Sequence, residues 1–177
     1  MAADSFLIAA LSDVIRSLNA RGVDYALAGG LAYSAWVEPR ATTDVDLLIL
    51  LERPSPETLA ALFPSIFESL IPHSAPMKLK SVSVWRLVGV RQGNDLVLDL
   101  LLADSEFLRQ VLARKQTVSF HGLALPIITL EDLILLKAIA GRLQDKADLE
   151  RIRERTDLPV DWNYVRMWQT KLGVTAI

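Results

Sequence analysis

The stretch GGLAYSAWVEPRATTDVDLLIL, Gly29 to Leu50, sets two glycines before a short apolar segment and two aspartates before a run of Leu and Ile. Val45–Leu51 is too apolar for a strand with one wet face, so it reads as a central strand buried on both faces. Asp44 and Asp46 stand at its mouth. Residues i and i+2 of a strand share a face, so the two carboxylates project side by side, about 6 to 7 Å apart at the backbone. Left alone, they repel and raise each other's pKa. A divalent cation between them removes that cost. Magnesium suits such a site, because it keeps waters and takes phosphate oxygens as its remaining ligands. Taken in isolation the pattern is short and common, and two solvated acids at a strand end explain it better.

Asp99 changes that balance. It lies inside LVLDLLL, where a lone aspartate is costly to bury and has no base beside it in sequence. If its strand lies next to DVDLLIL, Asp44, Asp46 and Asp99 meet at one sheet edge as catalytic metal ligands. Three carboxylates on neighbouring strands make a two-metal site for in-line phosphoryl displacement, with magnesium, or manganese in its place. Asp99 is then nearest the attacking hydroxyl, as a general base. The alternative is a capping or turn-facing aspartate.

Gly29 and Gly30 fall between a strand and a helix, where backbone comes close to a ligand and the helix offers unpaired N–H groups to an anion. A tight turn explains them equally if they stand alone. Arg40 can fork onto phosphate oxygens or pair with Glu38 or Asp44. Thr42 and Thr43 can donate hydroxyls to the same anion or simply end the loop. Further on, KAIAGRLQDKADLERI places Lys137, Gly141, Gln144 and Asp148 on one stripe if the helix is continuous. Lys137 contacts a phosphate or sugar, or snorkels. Arg142, Asp145 and Asp148 also fit intrahelical ion pairs. His73 and His121 have no metal-ligand spacing, and the four tryptophans read as core or interface residues.

The frame around these residues is ordinary. With 177 residues, 51% hydrophobic and 23% charged, the chain can bury a real core as one compact domain. It divides into a core over 1–128 and a C-terminal helical segment over 129–177 packed on it. A net charge of −2 lacks the basic footprint of a dedicated nucleic-acid binder, though a local patch is compatible with it. No cysteine excludes disulfides and thiolate metal sites. Asp13 interrupts the N-terminal apolar stretch, so no signal peptide, no membrane span and a cytoplasmic location are expected.

The elements follow from periodicity. Helices are expected over Ser5–Ala20, Leu31–Val37, Glu57–Leu70 and Ser105–Lys115, then from Thr129 onward, near Asp145 and over Asp161–Leu172. Strands are expected at Asp24–Ala28 and Val45–Leu51, in a hairpin of Ser81–Arg91 with Leu96–Ala103, and in two short runs around His121–Gly122. IPHSAPMK reads as a loop. The fold class is α/β or α+β, a small mixed sheet flanked by helices with a helical C-terminal part.

With these residues in view, the chain resembles the nucleotidyltransferase superfamily that includes DNA polymerase β. Within it, the bacterial group around the abortive-infection toxins is the most similar. The resemblance rests on AGGLAYSAW, PRATTDVDLLI, Asp99 and EDLILLKAIAGRLQDKADLERI, and spans about Tyr25 to Ile152. It implies magnesium and transfer of a nucleoside monophosphate from an NTP to an acceptor hydroxyl on RNA, protein or a small molecule, with an antitoxin protein as partner. It also implies that Asp44, Asp46 and Asp99 complete the metal site. Gly29 and Gly30, with Arg40 and Thr43, would serve the triphosphate, and Lys137 and Asp145 would stand near the nucleotide. Many members have Gly-Ser where this chain has Gly30-Leu31, so either Thr42, Thr43 or Ser34 supplies the hydroxyl or that contact is absent. The other readings are a nucleotide- or partner-binding module without turnover, and a metal-dependent nuclease.

Overall fold

The computed structural model describes residues 2–175, with side chains from residue 6 onward. Helix α1 (Ala2–Ala20) buries Leu7, Leu11, Val14 and Leu18 along one stripe, and the chain then turns at Gly22 with a left-handed φ of 64°. The elements that follow are β1 (Tyr25–Leu27), α2 (Gly29–Trp36), β2 (Asp44–Ile49), α3 (Pro56–Ala60), β3 (Ser69–Pro72) and β4 (Met77–Leu79). Next come β5 (Val82–Arg91), β6 (Asn94–Leu102), α4 (Glu106–Arg114), β7 (Gln116–Phe120) and β8 (Leu123–Ile127). Three helices close the chain: α5 (Leu130–Ala140), α6 (Leu143–Glu154) and α7 (Trp162–Leu172).

The strands make one mixed sheet in the order β3-β5-β6-β2-β1-β8-β7, with β4 also paired to β5. Strand β2 sits at its centre, parallel to β6 and antiparallel to β1. Val45, Leu47, Leu48 and Ile49 are fully buried, as a strand covered on both faces requires. Helix α2 packs on β2 and on α5, and α5 packs on α6 and α7, so the last three helices share one core with the sheet.

Capping places several helix starts. The side chains of Ser105 and Thr129 accept the backbone N–H groups of Leu108 and Asp132. The His121–Gly122 turn joins β7 to β8 with φ of 48° and 79°, as a two-residue hairpin loop demands.

Two expectations fail, and one condition is not met. The helix over Glu57–Leu70 ends at Ala60, because Pro64 cannot donate inside a helix and Ser65 turns left-handed at φ 63°. IPHSAPMK is not a plain loop: its ends form β3 and β4, antiparallel to β5. The continuous helix on which a shared stripe depends is absent: α5 ends at Gly141, at φ 65°, and α6 is the separate helix expected near Asp145, so Lys137 lies on α5 whereas Gln144 and Asp148 lie on α6. No continuous stripe joins them.

Leu98 on β6 is fully buried at the centre of the sheet, whereas Val88 on β5 is 38% exposed. Leu98→Ala is expected to lose about 2–5 kcal/mol in urea unfolding, and Val88→Ala within about 0.5 kcal/mol of wild type. Equal losses would mean that β6 is not the centre of the core.

Candidate functional site

The site begins with strand register. Asp46 on β2 is the Cα partner of Asp99 on β6, and Asp44 stands two residues before Asp46. Because β2 and β6 run parallel, all three carboxylates come to one end of one face. Antiparallel β1 delivers Gly29 beside them, and the Ala28 N–H donates to the Asp46 carbonyl at 2.9 Å.

Gly29 has φ 59°, and a Cβ there would lie 1.9 Å from Asp46 Oδ2. Asp46 therefore rests where any other residue would place a side chain. The Gly30 N–H, in the first turn of α2, donates to the same oxygen over 3.4 Å. Burial raises the Asp46 carboxyl to about 6, with repulsion from Asp99 and Asp44 adding to it and the Gly30 N–H and Arg142 opposing it.

Asp99 is not alone. Arg86 on β5 is its cross-strand partner and holds both oxygens, Nε to Oδ1 at 2.8 Å and Nη2 to Oδ2 at 2.6 Å. Those bonds hold the guanidinium above its ordinary pKa. Arg86 thus holds the Asp99 carboxylate, the one member of the expected three-carboxylate set that is ion-paired among the described residues. Among the described residues no three His, Asp or Glu side chains are grouped to hold a metal ion. Asp44 and Asp46 are the pair whose oxygens fit a hard cation. Asp44 accepts from the Thr43 hydroxyl at 2.9 Å, and neither aspartate forms an ion pair among the described residues.

The opposite wall is an ion network. Lys137 is buried and bonds Asp148 at 2.5 Å and Asp145 at 3.5 Å, so it does not snorkel. The Asp145 carboxylate accepts from Arg142, from Nε at 2.7 Å and from its backbone N–H at 3.2 Å, and so caps the start of α6. Arg40 pairs with Asp148 at 2.7 Å, rather than with Glu38 or Asp44. Glu38 instead takes Arg151. Burial pushes Asp148 up, but the bonds from Lys137 and Gln144, with the charges of Lys137 and Arg40, hold it below its usual value. The buried Tyr33 ring lies under Arg40 and Lys137, 5.7 and 5.4 Å from its centroid.

A pocket of about 70 Å³ brings together Gly29, Asp46, Asp99, Lys137, Arg142 and Asp145, with an apolar wall from β4, β5, β6 and α5. Asp44, Arg40 and Thr43 do not line it. The Thr42 hydroxyl lies 2.8 Å from where a Gly30 Cβ would sit, whereas Leu31 is buried and the Ser34 hydroxyl turns back to the Gly30 and Arg40 carbonyls.

Residues 7–172 match the family described as nucleotidyl transferase of unknown function, DUF2204. The chain belongs to this family. No curated protein sequence matches it. Among solved structures, the DUF2204 chain resembles TM1012 of Thermotoga maritima, which was proposed to be a nucleotidyltransferase. That match has a TM-score of 0.55 at 14% identity, over 85% of this chain and 95% of that one. The antibiotic-resistance factor ANT(2'')-Ia matches with a TM-score of 0.51 at 16% identity, over 96% of this chain and 85% of that one. JHP933 of Helicobacter pylori matches with a TM-score of 0.51 at 16% identity, over 83% of this chain but 64% of that longer one. At these identities the likeness concerns the fold, a mixed sheet flanked by helices. Among the described residues, no helix is long and apolar enough to cross a membrane.

Sequence reading missed Arg86. Its signal was available: a two-residue turn at Gln92–Gly93 pairs Arg91 with Asn94, and counting back along the hairpin pairs Arg86 with Asp99.

Two predictions follow from this geometry. Gly22 and Gly29 share a left-handed backbone, but a Cβ at Gly22 meets nothing within 4 Å. Gly22→Ala should lose only the left-handed penalty, about 1–2 kcal/mol. Gly29→Ala should lose more in the same urea titration, and losses of equal size would refute the close approach. The second prediction concerns pH. A raised Asp46 carboxyl stays protonated in the folded chain up to about 6, against 3.8 ordinarily, so its contribution to stability is present below pH 4 and lost as pH rises through 6. In EDTA, Asp46→Asn should melt higher than wild type at pH 8, and the gap should close towards pH 4. A gap independent of pH would contradict the burial assigned to Asp46.

Proposed function

We propose that this chain transfers a nucleoside monophosphate from an NTP to an acceptor hydroxyl, with magnesium held by Asp44 and Asp46. The observation that carries this is the convergence of Gly29, Asp46 and Asp99 on one pocket walled by the Lys137–Asp145 pair. Family membership supports the reaction class. Bound magnesium would neutralise charge on the phosphates and polarise them.

The chain's own residues supply the rest. The first turn of α2, which no side chain caps, and the Thr42 hydroxyl offer donors to phosphate oxygens, the role a serine at Leu31 would otherwise fill. Arg142, on the same pocket, is the exposed cation within reach of anionic groups there. Asp99 keeps two lone pairs beyond those engaged by Arg86, so it can accept the proton of the acceptor hydroxyl while Arg86 fixes its orientation. The acceptor oxygen forms a bond to the α-phosphorus as the bond to the β-phosphate bridging oxygen breaks, and pyrophosphate leaves. The toxin–antitoxin assignment rests on the sequence resemblance and draws no support from the geometry.

A second reading is a nucleotide-binding module without turnover. The Arg86 grip on both oxygens of Asp99 favours it, because that grip competes with a catalytic role.

Incubation with labelled NTPs, magnesium and RNA, protein or small-molecule fractions discriminates the two. Transfer is expected, with Asp44→Asn and Asp46→Asn each lowering it by about 10³-fold, the several kcal/mol that metal binding supplies. Binding of NTP and magnesium in calorimetry with no transfer to any fraction would favour the module. No binding at all would overturn both.

A further inference from the structure

The strand register that gathers the carboxylates also extends their face towards β3. Cross-strand partners share a face, and so do residues two apart on one strand. Ile71 on β3 pairs with Val88 on β5, Val88 with Val97 on β6, and Val97 with Asp44 on β2. The next row on the same face is Arg86, Asp99 and Asp46. An apolar row of three side chains therefore ends at Asp44 and runs beside Asp99, with about 4.8 Å between strands and about 7 Å between rows.

This row is open. Ile71 is 67% exposed and Val88 38%, and Val97 is half-buried. Among the exposed large apolar side chains of the described residues, Ile71 and Val88 alone are cross-strand partners. The opposite face of the same strands is closed: a Cβ at Gly89 would lie 2.6 Å from the Phe67 ring and 3.0 Å from Leu70. The exposure belongs to one face of a packed sheet and not to a frayed edge.

Charge and size limit what can cover the row. On its other side lie Ser69, Val90 and Asp95. Over these three rows the only Lys or Arg is Arg86, which Asp99 holds, and both Asp44 and Asp95 adjoin Val97. A phosphodiester backbone finds no free counter-charge there. A specific protein interface takes about 800 Å² from each partner, several times what three aliphatic side chains present. A small neutral molecule satisfies both limits.

We propose that Ile71, Val88 and Val97 form a shelf for the acceptor of the transfer described above, and that this acceptor is a neutral small molecule with a flat apolar body and the reacting hydroxyl at one end. A body about 10 Å long, two strand spacings, reaches from Ile71 to Val97 and sets its end against Asp44, one row from Asp99. Covering the shelf supplies affinity through apolar burial and selects against sugars and nucleic-acid ends, which cannot use it. The shelf's role as an acceptor site rests on the transfer reading, but binding to it needs neither NTP nor metal.

The test is methyl NMR of the full chain, labelled at Ile and Val, titrated in EDTA with 2-naphthol and separately with glucose and a twelve-nucleotide single-stranded RNA. 2-Naphthol should shift the methyl signals of Ile71, Val88 and Val97, and glucose and RNA should leave them in place. The double variant Ile71→Ser with Val88→Ser should bind 2-naphthol about tenfold more weakly. Met167→Ser, at an exposed position on α7, should bind as wild type. Circular dichroism checks the folding of each variant, and either single substitution gives the same trend with less perturbation. With NTPs and magnesium, the double variant should raise KM for 2-naphthol and leave kcat nearly unchanged. The proposal is overturned by unmoved signals at millimolar 2-naphthol, by equal shifts at other exposed methyls, by a double variant that binds as wild type, or by larger shifts with RNA or glucose. Shifts of the same methyls on diluting the protein alone would also overturn it, since a second copy would then cover the row. 2-Naphthol bound on the shelf, with no transfer to any acceptor, would sink the transferase reading and leave the binding site standing. Transfer to RNA that the double variant leaves intact would sink the shelf's role and leave the transferase reading standing.

Discussion

The contact between Asp46 and the α-carbon of Gly29 is the constraint on which the site depends. It forces a residue without a side chain at the end of β1, and it fixes how far α2 can sit from β2. The carboxylate that results is partly dehydrated and faces two others, an arrangement no stability argument would choose. The surrounding core absorbs that cost. Val45, Leu47, Leu48 and Ile49 on β2 and Leu98 and Leu100 on β6 are all fully buried, so the strands cannot slide to relieve the repulsion.

Around that constraint the chain arranges partners of opposite sign at different sequence distances. Arg86 and Asp99 meet through a tight hairpin, thirteen residues apart. Arg40 and Asp148 meet across 108 residues, from a loop and a late helix. The second kind of pairing ties the C-terminal helices to the loop that feeds β2. A comparable knot stands behind it, where buried Asp132 accepts from Thr129, Tyr164 and Arg114, and Arg114 stacks on the Tyr164 ring at 3.8 Å. Buried pairs like these add little net stability over apolar packing, yet removing one partner strands the other charge.

Much of this was legible in the residues. The apolar run after Asp46, the turn at Gln92–Gly93 and the cap at Thr129 each carry a local rule, and the structure follows it. That β2 and β6 are neighbours, and parallel, follows from no local rule, because sequence patterns do not fix which strands pair. The errors fall where two rules competed. Leu59, Leu62, Phe63, Ile66, Phe67 and Leu70 keep a helical spacing, but Pro64 decides the backbone. At Gly141 a glycine inside an apolar period left continuity of the helix as a condition, and its left-handed backbone ends α5 there. Asp145 and Asp148 were readable as charges but not as the buried partners of Lys137, because that depends on the angle between two helices, which a sequence does not carry.

The break at Gly141 has one more consequence. Because α6 starts just past that break, Lys137 and Arg142 gather around Asp145 on one wall of the pocket, while Asp46 and Asp99 stand on the other, with only the guanidinium of Arg86 bonded to Asp99. One wall carries surplus positive charge and the other surplus negative charge, a few side chains apart. The cleft is a standing electric dipole. A ligand with its own charge separation, cation at one end and oxyanions at the other, meets a torque before it meets a contact, so the fold sets the direction of approach without any moving part.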